Sequence, residues 1–118
     1  GETAIFATGS MVSTGLELCR TKQYSLYSCP VLSFYDEAEL LNELKKYKNI
    51  ISLEEHSVQG GLGSSLADLI AKNGLGLKLQ KIGMTHFFTE GCGSYDFAMK
   101  FHGLDCASIL KTLANVGL

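Results

Sequence analysis

The 118-residue sequence predicts a three-layer α/β/α domain built on a small, open, doubly wound and mainly parallel sheet with strand order 2-1-3-4. Short apolar runs alternate with amphipathic segments of helical period along the chain, a pattern that calls for right-handed crossovers and helices on both sheet faces. An apolar content of 46% is ordinary for one globular core, and the length suits one domain, 1–118, better than two. A single proline among 13 glycines, with no internal period, excludes linker-rich and repeat architectures.

The first strand is expected at Thr3–Ala7 (TAIFA), ending at Thr8-Gly9-Ser10. A helix over 12–20 follows, with Val12, Leu16 and Cys19 on its apolar face. Its N-terminus is either a capping box of Thr14 and Glu17 or an N-cap at Ser10. The second strand is read at 29–34 (CPVLSF), with Pro30 tolerated near its start. Asp36 then caps a helix whose apolar face is Leu40, Leu41, Leu44 and Tyr47, with Lys45, Lys46 and Lys48 at the end the dipole favours for cations.

Residues 49–53 (NIISL) form the third strand, and Leu62, Leu66, Leu69 and Ile70 mark the next helix, which Asn73-Gly74 stops. Residues 77–82 (LKLQKI) alternate apolar and polar, as an edge strand does. A loop rich in glycine and aromatics, a short helix at 95–101 and a final helix complete the chain. Gly103 ends the short helix, Asp105 caps the last one, and Leu104 can staple Ile109.

The balance of charge excludes several classes of partner. Ten basic and 12 acidic residues give a net charge of −2, which offers nothing to nucleic acid or an anionic membrane. No apolar run reaches the roughly 20 residues of a membrane span, and no signal peptide is visible in GETAIFATGS. Cys19, Cys29, Cys92 and Cys106 show no CxxC spacing, so they read as reduced thiols of a cytoplasmic protein, with no zinc site.

The stretch LEEHSVQGGLGSSLADL, residues 53–69, holds the densest chemistry. Strand order 2-1-3-4 puts the topological switch between strands 1 and 3, so Thr8-Gly9-Ser10 and Glu54-Glu55-His56 face the crevice where open α/β sheets bind ligands. Gly60, Gly61 and Gly63, with Ser64, can close backbone amides around an anion. They can equally serve a tight turn and close helix–sheet packing. GGLGSS lacks the third glycine of GxGxxG and the lysine of a P-loop, and it follows the third strand rather than the first.

Acid–base chemistry finds less support there. At strand geometry Glu54 and His56 share one side and Glu55 points to the other, so the three do not converge. Ser57 and Ser64 lie near His56 in sequence only, and no nucleophile elbow GxSxG occurs. A carboxylate at a strand's end can instead orient a loop or meet another subunit. His86, beside Phe87 and Phe88, reads as a packed or interface residue, and His102 as a helix-terminal cation. Met84, Phe87 and Phe88 either plug the core or form an interface.

Taken together, ATGSMV, SLEEHSVQGGLGSSLADL, KIGMTHFF and HGLDCASI resemble the C-terminal domain of transketolase-like, thiamine-diphosphate-dependent enzymes, from about Thr3 to about Leu113 and in the family's order. The resemblance implies an enzyme that transfers two-carbon ketol units between sugar phosphates, with this domain catalytically inactive by itself. Thiamine diphosphate and Mg2+ belong, on that resemblance, to two preceding domains absent from this chain, which would be a fragment of a longer polypeptide.

Catalytic, cofactor-binding and metal residues are therefore none here. Glu55, His56, Gly60, Gly61, Gly63 and Ser64 are the interface or anion-binding candidates, and a homodimeric parent is implied. Family members often carry an acidic residue where His86 stands, so a contact made by that acid is not expected here. The competing reading is a free-standing α/β module that binds a nucleotide or phosphometabolite at the GGLG crevice.

Overall fold

The computed structural model describes residues 2–9, 11–28, 37–57, 61–84 and 105–118, with backbone alone for 55–57 and 84. In chain order the elements are β1 (Thr3–Ala7), α1 (Met11–Thr21), β2 (Ser25–Ser28), α2 (Glu37–Leu44), β3 (Asn49–Ser57), α3 (Leu62–Lys72), β4 (Lys78–Met84) and α4 (Cys106–Asn115). The four strands form one sheet in the order β2-β1-β3-β4, as the alternating pattern predicts, and all three pairings are parallel.

Strand alternation splits the apolar residues between two cores. Ile5, Ala7, Ile51, Leu53 and Ile82 point to one face, where Met11 and Leu18 of α1 and Ile109 and Leu113 of α4 cover them. Ala4, Phe6 and Ile50 point to the other, beneath Leu40 and Leu44 of α2 and Leu62, Leu66 and Ile70 of α3. All five residues of β1 are buried, as a central strand with both faces covered must be.

Several local expectations are corrected. The buried face of α1 is Met11, Gly15 and Leu18, the same spacing as Val12, Leu16 and Cys19 but one residue earlier. Leu16 is 53% exposed, while Val12 and Cys19 are only partly buried. The reason is contact: a Cβ on Gly15 would stand 2.8 Å from Leu26 Cδ1, so the helix approaches β2 along its glycine. Thr14 lies inside α1 and caps nothing; the helix starts where Met11 and Val12 donate to the carbonyls of Thr8 and Gly9. Gly9 makes that turn at φ +50°, a left-handed conformation that side chains disfavour.

The strand beside β1 is Ser25–Ser28, whose first three residues are half-buried and whose last is exposed. The expected strand at 29–34 and the Asp36 cap lie outside the described residues, as do Ser10, the 95–101 helix, Gly103, Leu104, His86, His102, Cys29 and Cys92. Helix α2 ends at Leu44, so Lys45, Lys46 and Lys48 follow it rather than occupy its last turn. Tyr47 also lies beyond the helix, where its hydroxyl meets that of Tyr27 at 2.8 Å. β3 runs four residues past the expected Leu53, to Ser57.

Other expectations hold. Asn73 caps α3 and Gly74 follows at φ +58°. Asp105 caps α4, accepting from the Ser108 amide at 3.2 Å and from the Ser108 hydroxyl at 2.6 Å. Among the described strands β4 stands at the sheet's edge. Cys19 and Cys106 are free thiols, and burial raises both pKa values.

The edge strand β2 is anchored through Tyr27. Its ring stacks on Phe6 with centroids 4.7 Å apart, and its hydroxyl donates to Glu43 at 2.7 Å. Because that proton is committed to Glu43, the hydrogen bond between the two phenols is donated by Tyr47. Tyr27, and then Lys46, hold the Glu43 carboxyl below its ordinary pKa.

Stability contributed by a carboxyl with a lowered native pKa is fully present above the unfolded value and lost as pH falls through the native one. Chemical unfolding of wild type and Tyr27→Phe should therefore differ most at neutral pH, and the difference should shrink as the pH is taken below about 4.5. Removing the α4 cap with Asp105→Ala should cost about 1 kcal/mol, read as a lower urea midpoint at unchanged m-value.

Candidate functional site

The C-terminal ends of β1 and β3 lie side by side, joined by a hydrogen bond from the Thr8 amide to the Leu53 carbonyl at 3.1 Å. Beyond Leu53 the pairing of β3 with β4 shifts register before resuming at Ser57 and Met84. Such an irregularity redirects the strand it occurs in. Residues 54–56 thus lie outside the regular ladder with β4 at the switch point, ahead of α3.

Ile50, Ser52 and Glu54 share the β3 face that α3 covers, because side chains two apart point the same way. Glu54 is 2% exposed. Its Oε1 accepts from the Leu62 amide at 3.1 Å and its Oε2 from the Gly63 amide at 2.8 Å. These are among the N–H groups that a helix leaves without internal partners. The N-cap residue, Gly61, has no side chain to offer them, so a carboxylate from the preceding strand supplies the cap. The helix dipole favours the negative charge there, and hydrogen bonds to a charged group contribute about 1.5–3 kcal/mol each.

Close packing accompanies this cap. A Cβ on Gly63 would stand 2.7 Å from Ser52 Oγ and 2.7 Å from Lys81 Cδ, so the first turn of α3 rests directly on β3 and β4. Ser52 is fully buried, and its hydroxyl has no hydrogen-bond partner among the described residues.

Of the expected site residues, Gly61, Gly63 and Ser64 come together at the start of α3. Gly61 is the N-cap, Gly63 provides the close approach, and Ser64 is half-buried in the first turn. Glu55 and His56 are placed on β3 by their backbone only, and Gly60 lies outside the described residues. Glu54 and Ser52 were not among the expected residues. A signal for Glu54 existed: it continues the Ile50–Ser52 side of the strand just before a helix that opens on glycine. Among the described residues, no group of three or more His, Cys, Asp or Glu side chains is placed to hold a metal ion.

A second concavity of about 430 Å³ lies between β1, β2 and α2, lined by Phe6, Tyr27, Glu39, Leu40, Asn42 and Glu43. Two of its polar groups, the Tyr27 hydroxyl and the Glu43 carboxylate, already bond to each other.

A parallel sheet in the order 2-1-3-4 with helices over both faces defines a doubly wound α/β/α domain. Comparison with known proteins then identifies its family. The family model for the transketolase C-terminal domain matches residues 1–109, and the chain belongs to that family.

A protein of Methanocaldococcus jannaschii described as a transketolase C-terminal section is 34% identical over 111 residues, covering 92% of this chain and 35% of that protein. One of the subunits of an apulose-4-phosphate transketolase from Actinobacillus succinogenes is 30% identical over 115 residues, covering 93% of this chain and 37% of that polypeptide. A 1-deoxy-D-xylulose-5-phosphate synthase from Parabacteroides distasonis is 33% identical over 108 residues, covering 89% of this chain and 17% of the synthase. The chain therefore spans about a third of the first two relatives, at 35% and 37% of their lengths.

A solved structure of a split-gene transketolase, described as an inactive β4 tetramer, superposes with a TM-score of 0.84 at 22% identity. The match covers 97% of this chain and 38% of that one, and it shows the shared fold.

The packing at Gly63 makes a sharp prediction. Gly63→Ala gains up to about 1 kcal/mol of helix propensity but meets Ser52 and Lys81, and overpacking of this kind costs about 1–3 kcal/mol. Net destabilisation is expected in urea unfolding, whereas Ser52→Ala, which removes an unpartnered buried hydroxyl, should be neutral or stabilising.

Proposed function

We propose that this chain is the assembly-supporting C-terminal domain of a transketolase that moves two-carbon ketol units between sugar phosphates. Thiamine diphosphate and Mg2+ are held, in this reading, by domains outside the 118 residues. The homodimeric parent works in the cytoplasm, a placement supported by the free thiols Cys19 and Cys106. Membership of the transketolase C-terminal family supports the reaction class.

The observation that carries the reading is the occupied N-terminus of α3. A diphosphate at this crevice would need the helix amides, yet those of Leu62 and Gly63 already donate to Glu54. A second anion beside the buried Glu54 carboxylate would also be repelled. These residues do not fit a diphosphate with its metal, so no chemical step is assigned to them. The segment that carries Glu55 and His56, with Gly60, Gly61, Gly63 and Ser64, instead shapes the face presented to neighbouring domains or a second subunit.

Thermal-shift titration of the chain with thiamine diphosphate and Mg2+, sugar phosphates and adenine nucleotides tests this. A ligand at ~100 times its dissociation constant stabilises a fold by about 2.7 kcal/mol, which is readily seen. No shift is expected. A saturable shift with a nucleotide or phosphometabolite would favour a ligand-binding module. In the intact parent enzyme, Glu55→Ala should weaken dimerisation or cofactor retention more than turnover per assembled site; abolished turnover with unchanged assembly would sink the proposal.

A further inference from the structure

We infer that Glu54 is a tethered ligand in an oxyanion pocket of this domain: the chain's own carboxylate fills, at the switch point, the place that a free anion would otherwise take. The pocket has two independent parts. One is the pair of amides of Leu62 and Gly63, which grip one carboxylate oxygen each at 3.1 and 2.8 Å. The other is the hydroxyl of Ser52, fully buried, without a partner, and set against the same first turn of α3.

A Cβ on Gly63 would stand 2.7 Å from that hydroxyl, so Ser52 lies directly beneath the helix turn that holds the carboxylate. Cutting the Glu54 side chain back to a methyl group frees the two N–H donors, with the unused Ser52 O–H donor beneath the same helix turn. That donor set suits a small carboxylate such as formate or acetate.

The positioning consequence follows from connectivity. Glu54 lies at the end of the regular β3–β4 pairing, where the register shifts, and its carboxylate reaches across to the first residues of α3. It thereby ties together the two flanks of the crossing 55–61 that carries the proposed assembly face. This step rests on the function proposed above, while the pocket itself does not.

The test is chemical rescue. Glu54→Ala should lower the thermal midpoint of the chain, and sodium formate should raise that midpoint saturably when compared with sodium chloride at equal ionic strength. Wild type should show no such difference, with formate or with inorganic phosphate. A variant that responds identically to formate and chloride overturns the inference, and so does a saturable response of wild type to phosphate.

If Glu54→Ala does not fold, Glu54→Gln keeps the volume and presents one acceptor in place of two. Amide exchange at Leu62 and Gly63 should then quicken by roughly tenfold while Leu66 and Ile70 stay protected, as local opening at a helix end predicts. Unchanged exchange at both amides would overturn the pocket. Rescue reads Glu54 alone and the Glu55→Ala assembly assay reads the face alone, so either can fail without the other.

Discussion

The bond between the Glu54 carboxylate and the first turn of α3 is the constraint on which the crevice end of this domain depends. A carboxylate that is 2% exposed can stay in the fold only if its charge is compensated, and two helix amides at 3.1 and 2.8 Å do that. The compensation works in both directions, because α3 begins at a glycine N-cap and has no local side chain to satisfy those amides. Neither element is complete without the other.

That mutual need explains several neighbouring features. Gly63 has no side chain because the turn bearing its amide must come within reach of β3, where Ser52 and Lys81 stand. The pairing of β3 with β4 shifts register after Leu53, at the residue whose carboxylate meets the helix. Buried Ser52 and Glu54 both fall on the α3 side of the sheet. The opposite face carries Thr3 at the far end of β1, where its hydroxyl accepts from the Asn49 side chain at 3.2 Å. The β2 edge is secured differently, by the Phe6–Tyr27 stack and the hydrogen bonds joining Tyr27 to Glu43 and Tyr47.

For function, the consequence is a switch-point crevice whose strongest anion donors are satisfied internally. The longer relatives of this family are named as transketolases and deoxyxylulose-phosphate synthases, and the internal cap belongs to the part of the domain for which an assembly role is proposed above. The two hydrogen bonds tie the end of β3 to the start of α3 and limit how far they can separate.

Much of the fold was legible in the residues. The alternation of apolar runs with helical periods pointed to a parallel sheet covered on both faces, because each amphipathic segment has to bury its stripe on a strand layer, and the expected order 2-1-3-4 is the one observed. Asn73-Gly74 and Asp105 marked helix ends through local chemistry that needs no distant partner. The buried face of α1 was not legible, since Met11–Gly15–Leu18 and Val12–Leu16–Cys19 have identical spacing and only the close approach of Gly15 to Leu26 separates them. β2 was also missed, because SLYS is short and polar and becomes a strand by pairing with β1.

The glycines of the candidate site were visible in sequence, whereas the strand position of Glu54 gave a signal but not its pairing with the helix amides. Glu54 reads locally as one of two adjacent acids, and its role exists only once the chain has returned through Gly61 to bring two amides to its oxygens. Period, caps and composition are local properties that a sequence determines by itself. Which face packs, which carboxylate is buried and which amides it meets are decided by the tertiary structure, because each depends on contacts between elements that the chain has first to fold together.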